Sequence, residues 1–136
     1  IIKRISLDYY ILPELALDRI TLHNTLFPET RLVVLGFGRT SDGDFQIIVQ
    51  QPFIHGTSLT DDEIRNYVES LGFKLTNPRN WTYVTPSIYL SDMHDENIIK
   101  SPQGNIFVID CDIRINTPNL KCDGVRKLSN EVEFTV

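Results

Sequence analysis

The chain has 136 residues, 41% of them hydrophobic and 23% charged, with 18 acidic and 13 basic side chains and a formal charge of −5. That suits one compact domain with a real core, excludes disorder, and leaves no apolar run near the roughly 18 to 20 residues that span a bilayer. The acidic balance disfavours nucleic acid as a partner, and Cys111 and Cys122, without metal-finger spacing, make a reducing cytoplasm the default compartment.

The start, Ile1-Ile2-Lys3-Arg4, has neither an initiator methionine nor the apolar stretch of a signal peptide. It is expected of residues taken from a longer polypeptide. A short strand over Ile1–Ile5 precedes a helix from about Leu12 to Asn24. Pro13 suits its first turn, and Leu12, Leu15, Ala16, Ile20 and Leu22 form an imperfect apolar stripe. The β-branched runs Arg31–Phe37 and Phe45–Gln50 flank Ser41-Asp42-Gly43-Asp44 and predict a hairpin. Gln51-Pro52-Phe53-Ile54-His55-Gly56 then breaks regular structure.

Thr60-Asp61-Asp62-Glu63 is a capping box. Ile64, Tyr67, Val68 and Leu71 follow at helical spacing, and Gly72 sits at the C′ position. Residues 77–90 read as loop, with a strand near Thr82–Val84 and with Trp81, Tyr83 and Tyr89 as packing residues. A second hairpin joins Asn97–Lys100 to Asn105–Ile109 through Ser101-Pro102-Gln103-Gly104. Beyond Asp112 periodicity is lost, except for an alternating Val132–Val136 that could form an edge strand.

The second hairpin carries the chemistry. Its open end gathers Asp92, His94, Asp95, Glu96 and Asn97 with Asp110 and Asp112, across a strand spacing of about 4.8 Å. Carboxylates this close repel one another unless a cation or proton neutralises them. Asp95 and Glu96 read as solvated loop charges. Asp110 ends an apolar strand, a place suited to a divalent ion with oxygen ligands. Asp92 and Asn97 stand at Asp-x-x-x-x-Asn spacing ahead of a hairpin and a strand ending in Asp, the order of kinase catalytic and metal loops. His94 has no nearby His or Cys partner and suits a loop-orienting role; His23 and His55 read as surface or cap residues.

Ser91–Ile99 resembles the D-x-H-x-x-N loop of aminoglycoside- and choline-type phosphotransferases. Together, Leu22–Thr30 (LHNTLFPET), Gln51–Ile54 (QPFI) and Val108–Asp110 (VID) resemble the kinase-like domain of bacterial polyvalent proteins, multidomain products of phages and conjugative elements. The resemblance spans roughly residues 1 to 116. It implies an α+β fold: a truncated protein-kinase-like core of two β-hairpins with two or three helices. A single partial domain would comprise strands and helix over 1–50, a hinge over 51–56 and a reduced second part over 57–136. It also implies roles. Lys3 would hold the α- and β-phosphates of ATP, with Glu14 as its ion-pair partner and Asp18 as the competitor. Gln51, Phe53 and Ile54 would lie in the hinge that meets the adenine. Asp92 would accept the acceptor's proton, and Asn97 and Asp110 would hold Mg²⁺.

The sequence departs from the kinase pattern at several points. No glycine-rich loop precedes Lys3, Gly36-x-Gly38 lies inside a hairpin, and Cys111-Asp112 replaces Phe-Gly after Asp110. No Ala-Pro-Glu follows, which predicts a fragment inactive alone. The expectation is an Mg-ATP-dependent phosphotransferase in a longer multidomain chain, cytoplasmic, with no membrane partner and an unidentified acceptor. The alternatives are a non-catalytic kinase-like module holding nucleotide or a partner, and a metal-dependent hydrolase built on Asp92, Asp95, Asp110 and Asp112.

Overall fold

The computed structural model describes residues 1–7 and 12–116, so the alternating Val132–Val136 tail lies outside the described residues. The fold is α+β, as expected. β1 (Ile2–Ser6), β2 (Val33–Arg39) and β3 (Phe45–Gln50) form an antiparallel sheet in the order β1-β3-β2. α1 (Pro13–Leu26) covers its inner face. There, Ala16 and Ile20 pack against Leu32, Ile47 and Val49, all buried. Pro13 starts the helix without a side-chain cap, because its missing N–H leaves one fewer orphan donor.

α1 runs two residues past the expected end and then turns through a 3-10 segment, Pro28–Thr30. Its last turns reach a second core. Leu22, Leu26 and Phe27 join Leu59, Ile64, Val68, Tyr83, Leu90, Met93, Ile98 and Val108 there. α1 therefore touches both cores, and its polar side can reach chain that is distant in sequence.

α2 (Asp61–Ser70) carries the expected capping box, with Glu63 N–H donating to Thr60 Oγ1 at 3.2 Å and Thr60 N–H to Glu63 Oε1 at 3.2 Å. The strand expected near Thr82–Val84 is present, but it belongs to a second sheet that the loop reading of residues 77–90 does not include. β4 (Lys74–Asn77), β5 (Thr82–Val84), β6 (Ile88–Ser91) and β9 (Asp112–Ile115) pair in the order β4-β5-β6-β9. These strands have three or four residues each, too short for a period of two to show in sequence. β9 pairs with β6, not with a chain neighbour. β7 (Ile98–Lys100) and β8 (Ile106–Val108) form the expected second hairpin.

The segment after β3 is pinned to that hairpin. Thr57 and Lys100 exchange backbone hydrogen bonds at 2.9 Å in both directions. The approach is so close that a Cβ on Gly56 would lie 2.2 Å from the Lys100 carbonyl oxygen. Among the described residues, no helix is long and apolar enough to cross a membrane.

Candidate functional site

A cavity of about 500 Å³ lies where β1, α1, the loop after β6 and the end of β8 meet, within the range typical of ligand pockets. Lys3, Asp92, Asn97 and Asp110 all line it, so four of the expected site residues converge from separate segments. Each position has a local cause. Lys3 sits on β1 opposite Val49, which places Val49 rather than Ile48 on the Lys3 face of the sheet. Ser91 pairs with Asp112, so the β6–β9 ladder carries Asp92 to the rim, where it adopts a positive φ of 60° and leaves Met93 to the core. Ile109 N–H donates to the Asn97 carbonyl at 2.9 Å and Asp110 N–H at 3.4 Å, which continues the β7–β8 ladder and sets Asn97 beside Asp110.

The side-chain geometry suits oxygen chemistry. Asn97 Nδ2 donates to the Asp92 carbonyl at 2.7 Å; a carbonyl only accepts, so the amide orientation is fixed and Oδ1 faces the other way. The His94 ring lies 3.2 Å from Asn97 Nδ2 and 3.3 Å from Glu96 N–H, and it orders the loop. Asp110 Oδ1 takes the Cys111 N–H at 2.9 Å and an Arg19 guanidinium hydrogen bond, while Oδ2 takes no hydrogen bond among the described residues. Asn97 Oδ1 and Asp110 Oδ2 are thus two oxygen donors, a set that fits Mg²⁺ arriving with phosphates and water rather than in a protein cage.

The acidic groups at the hairpin mouth divide. Asn97 N–H closes a turn onto the His94 carbonyl at 3.0 Å, and Asp95 and Glu96 stand out in solvent away from the cavity, as expected of loop charges. Of the three carboxylates that remain at the cavity, Asp110 and Asp112 are neutralised by arginines, while Asp92 has no ion pair among the described residues. Arg19 pairs with Asp110, and Arg114 pairs with Asp112 at 3.0 Å. Among the described residues, no group of three His, Cys, Asp or Glu side chains is placed to hold a metal, so the hydrolase reading lacks a ligand set.

Lys3 and Glu14 are not joined. Lys3 Nζ donates to the Ile109 carbonyl at 3.3 Å, whereas Glu14 and its competitor Asp18 are exposed on α1, and no ion pair links either to Lys3. Burial lowers the Lys3 pKa; the Asp110 carboxylate opposes that shift and Arg19 adds to it. Burial also raises the Cys111 thiol well above its ordinary value, so it is no nucleophile.

The residues expected in the hinge divide. Gln51 lines a separate cavity of about 270 Å³ with Ile1, Arg31, Val33, Gln50 and Pro52; Phe53 and Ile54 line neither cavity. Gln51 is buried and its side chain serves the fold: Nε2 donates to the Thr30 carbonyl at 2.7 Å and the Ile109 carbonyl at 2.9 Å. Its main chain pairs with Ile1, at 2.9 Å through its N–H and 2.7 Å through its carbonyl. Phe53 is exposed, and the main-chain groups of Phe53 and Ile54 make no hydrogen bond among the described residues.

Two features escaped the sequence. One is Arg19, whose contacts to Asp110 and Cys111 span more than 90 residues of sequence. The other is a buried polar hub. His23, expected at the surface, is 3% exposed; its Nε2 faces the Thr30 carbonyl at 3.1 Å, and Thr30 Oγ1 donates to the Val108 carbonyl at 2.5 Å. With Gln51, this hub draws together LHNTLFPET, QPFI and VID, the stretches that carried the family resemblance. That shared resemblance was the available signal.

Comparison with known proteins agrees. The family model Kinase-PolyVal, described as a serine/threonine/tyrosine kinase found in polyvalent proteins, matches residues 1–117, every cavity residue included. No curated protein and no solved structure matches the chain.

Proposed function

The chain belongs to the family of serine/threonine/tyrosine kinases found in polyvalent proteins, and on that premise we propose that it is the Mg-ATP-dependent phosphotransfer domain of a larger protein. The observation that carries this reading is the meeting of Lys3, Asp92, Asn97 and Asp110 on one cavity. Ile1, just before β1, lines the smaller cavity and Lys3, two residues on, lines the larger one, so a nucleotide could run from the first into the second. The main-chain groups of Phe53 and Ile54, which follow the smaller cavity's Gln51 and Pro52 in the chain and make no hydrogen bond among the described residues, would meet an adenine edge extending beyond that cavity, and the Lys3 ammonium would hold phosphate. Asn97 Oδ1 and Asp110 Oδ2 would bind Mg²⁺, which supplies charge neutralisation at the phosphates. Asp92, at the rim, would orient the acceptor hydroxyl and take its proton. Catalysis is then mostly positioning and electrostatics.

A non-catalytic, nucleotide-holding module is the second reading, favoured by the Arg19–Asp110 ion pair and by the exposed Glu14. Thermal unfolding with Mg-ATP tests binding. Nucleotide at about 100 times Kd should add about 2.7 kcal/mol, and Asp110→Ala or Lys3→Met should remove that gain. No shift at millimolar Mg-ATP would sink the reading. Phosphate transfer by the parent protein, lowered about 10²- to 10⁴-fold by Asp92→Ala, would separate the enzyme from the module.

A further inference from the structure

The polar side of α1 holds a cation that kinase spacing gave no reason to expect. Arg19 is anchored twice to the Cys111 carbonyl, from Nε at 2.8 Å and from Nη2 at 2.5 Å, and Nη2 also engages Asp110 Oδ1. Its side chain is 18% exposed, against 51% for Asp110, so the arginine is the fixed member of the pair. The carboxylate beside it is also occupied: Arg114 reaches both oxygens of Asp112, at 3.2 and 3.0 Å. Four cationic side chains, Lys3, Arg4, Arg19 and Arg114, line the cavity against Asp92, Asp110 and Asp112. Among the described residues, an acidic chain thus sets four cations against three carboxylates around its candidate metal ligands.

We propose that Arg19 is the resident counter-cation of Asp110 and closes this carboxylate to free divalent ions. The inference rests on the reading of Asp110 as a cation ligand. A free Mg²⁺ or Mn²⁺ meets a carboxylate already neutralised by a guanidinium that cannot retreat without losing the Cys111 carbonyl. A cation delivered on a polyphosphate brings its own negative charge and removes that penalty. The arginine therefore sets the order of loading.

Mn²⁺ binding to the 136-residue chain without nucleotide, read from the loss of the free-ion EPR signal, tests this without any activity assay. Arg19→Gln keeps an amide for the Cys111 carbonyl and removes the charge. It should bind Mn²⁺ about tenfold or more tightly than the wild type, a like charge within a few ångströms being worth at least that. Arg19→Lys should stay near the wild type, and adding Asp110→Asn to Arg19→Gln should abolish the gain. Arg19→Met serves if the glutamine variant fails to fold. Equal Mn²⁺ affinity in wild type and a folded, charge-free variant would overturn the proposal. Failure of the wild type to bind Mn-ATP would strike the phosphotransferase reading instead, and the nucleotide-free comparison would still decide the role of Arg19.

Discussion

Replacing Thr30 with valine removes one hydroxyl from the buried hub and leaves the side-chain shape almost unchanged. Thr30 is 1% exposed, and its Oγ1 donates to the Val108 carbonyl at 2.5 Å. That carbonyl has no partner within its own hairpin. Ile109 bonds to Asn97, so by the alternation of an antiparallel ladder the Val108 carbonyl points outward, towards Thr30. Thr30→Val therefore strands a buried acceptor without opening a cavity. A stranded carbonyl costs about 1–3 kcal/mol, and the weakened contact to His23 Nε2, now at 3.2 Å, argues for the middle of that range, about 2 kcal/mol. For a chain of this size, that lowers Tm by about 6–10 °C. Urea unfolding followed by the fluorescence of Trp81, the single tryptophan, measures it. Thr30→Ser keeps the hydroxyl and should lose about 1 kcal/mol for its methyl group. If valine proves as stable as serine, or within about 0.5 kcal/mol of the wild type, the hub is not holding β8 in place.

Two further outcomes follow from neighbouring contacts. Burial holds the His23 pKa below its ordinary 6.5, against a smaller opposing hydrogen bond to Thr30. Below pH 6.5 the unfolded chain takes a proton that the native state refuses, so stability falls as pH drops through that value. His23→Gln should flatten the loss between pH 7.5 and 5.5 in urea midpoints, relative to wild type; an unchanged slope would refute the assignment. Gly56→Ala drives a Cβ to 2.2 Å from the Lys100 oxygen and 2.4 Å from Ile99 Cγ2, both part of β7 or its bridge. It should cost about 3 kcal/mol and speed amide exchange at Thr57 and Lys100, and stability near wild type would show that the segment can move aside cheaply.

Local signals carried the elements that close on themselves. The hairpin turns at Gly43 and Gly104, both with φ of 88°, and the Thr60–Glu63 capping box were legible because neighbours in sequence satisfy one another. Apart from its Thr82–Val84 strand, the four-stranded sheet was not, because β6 finds β9 across the whole second hairpin and no turn in sequence joins them. At the site, Asp92, Asn97 and Asp110 could be read from spacing within one hairpin. Glu14 could not be decided, since which side of α1 faces Lys3 depends on how the helix seats over two cores.

Sequence by itself determined the length and acidity of the chain, its two hairpins, its two helices and the carboxylates and amide that could serve phosphate chemistry. Only the tertiary structure decided the sign of the charge around them. The excess of 18 acidic over 13 basic residues gave no hint that Lys3, Arg4, Arg19 and Arg114 would share a cavity with Asp92, Asp110 and Asp112. The reason is physical: net charge sums over the whole chain, but at ordinary salt a charge is felt only over about 10 Å, so the local field is set by the groups that packing brings together.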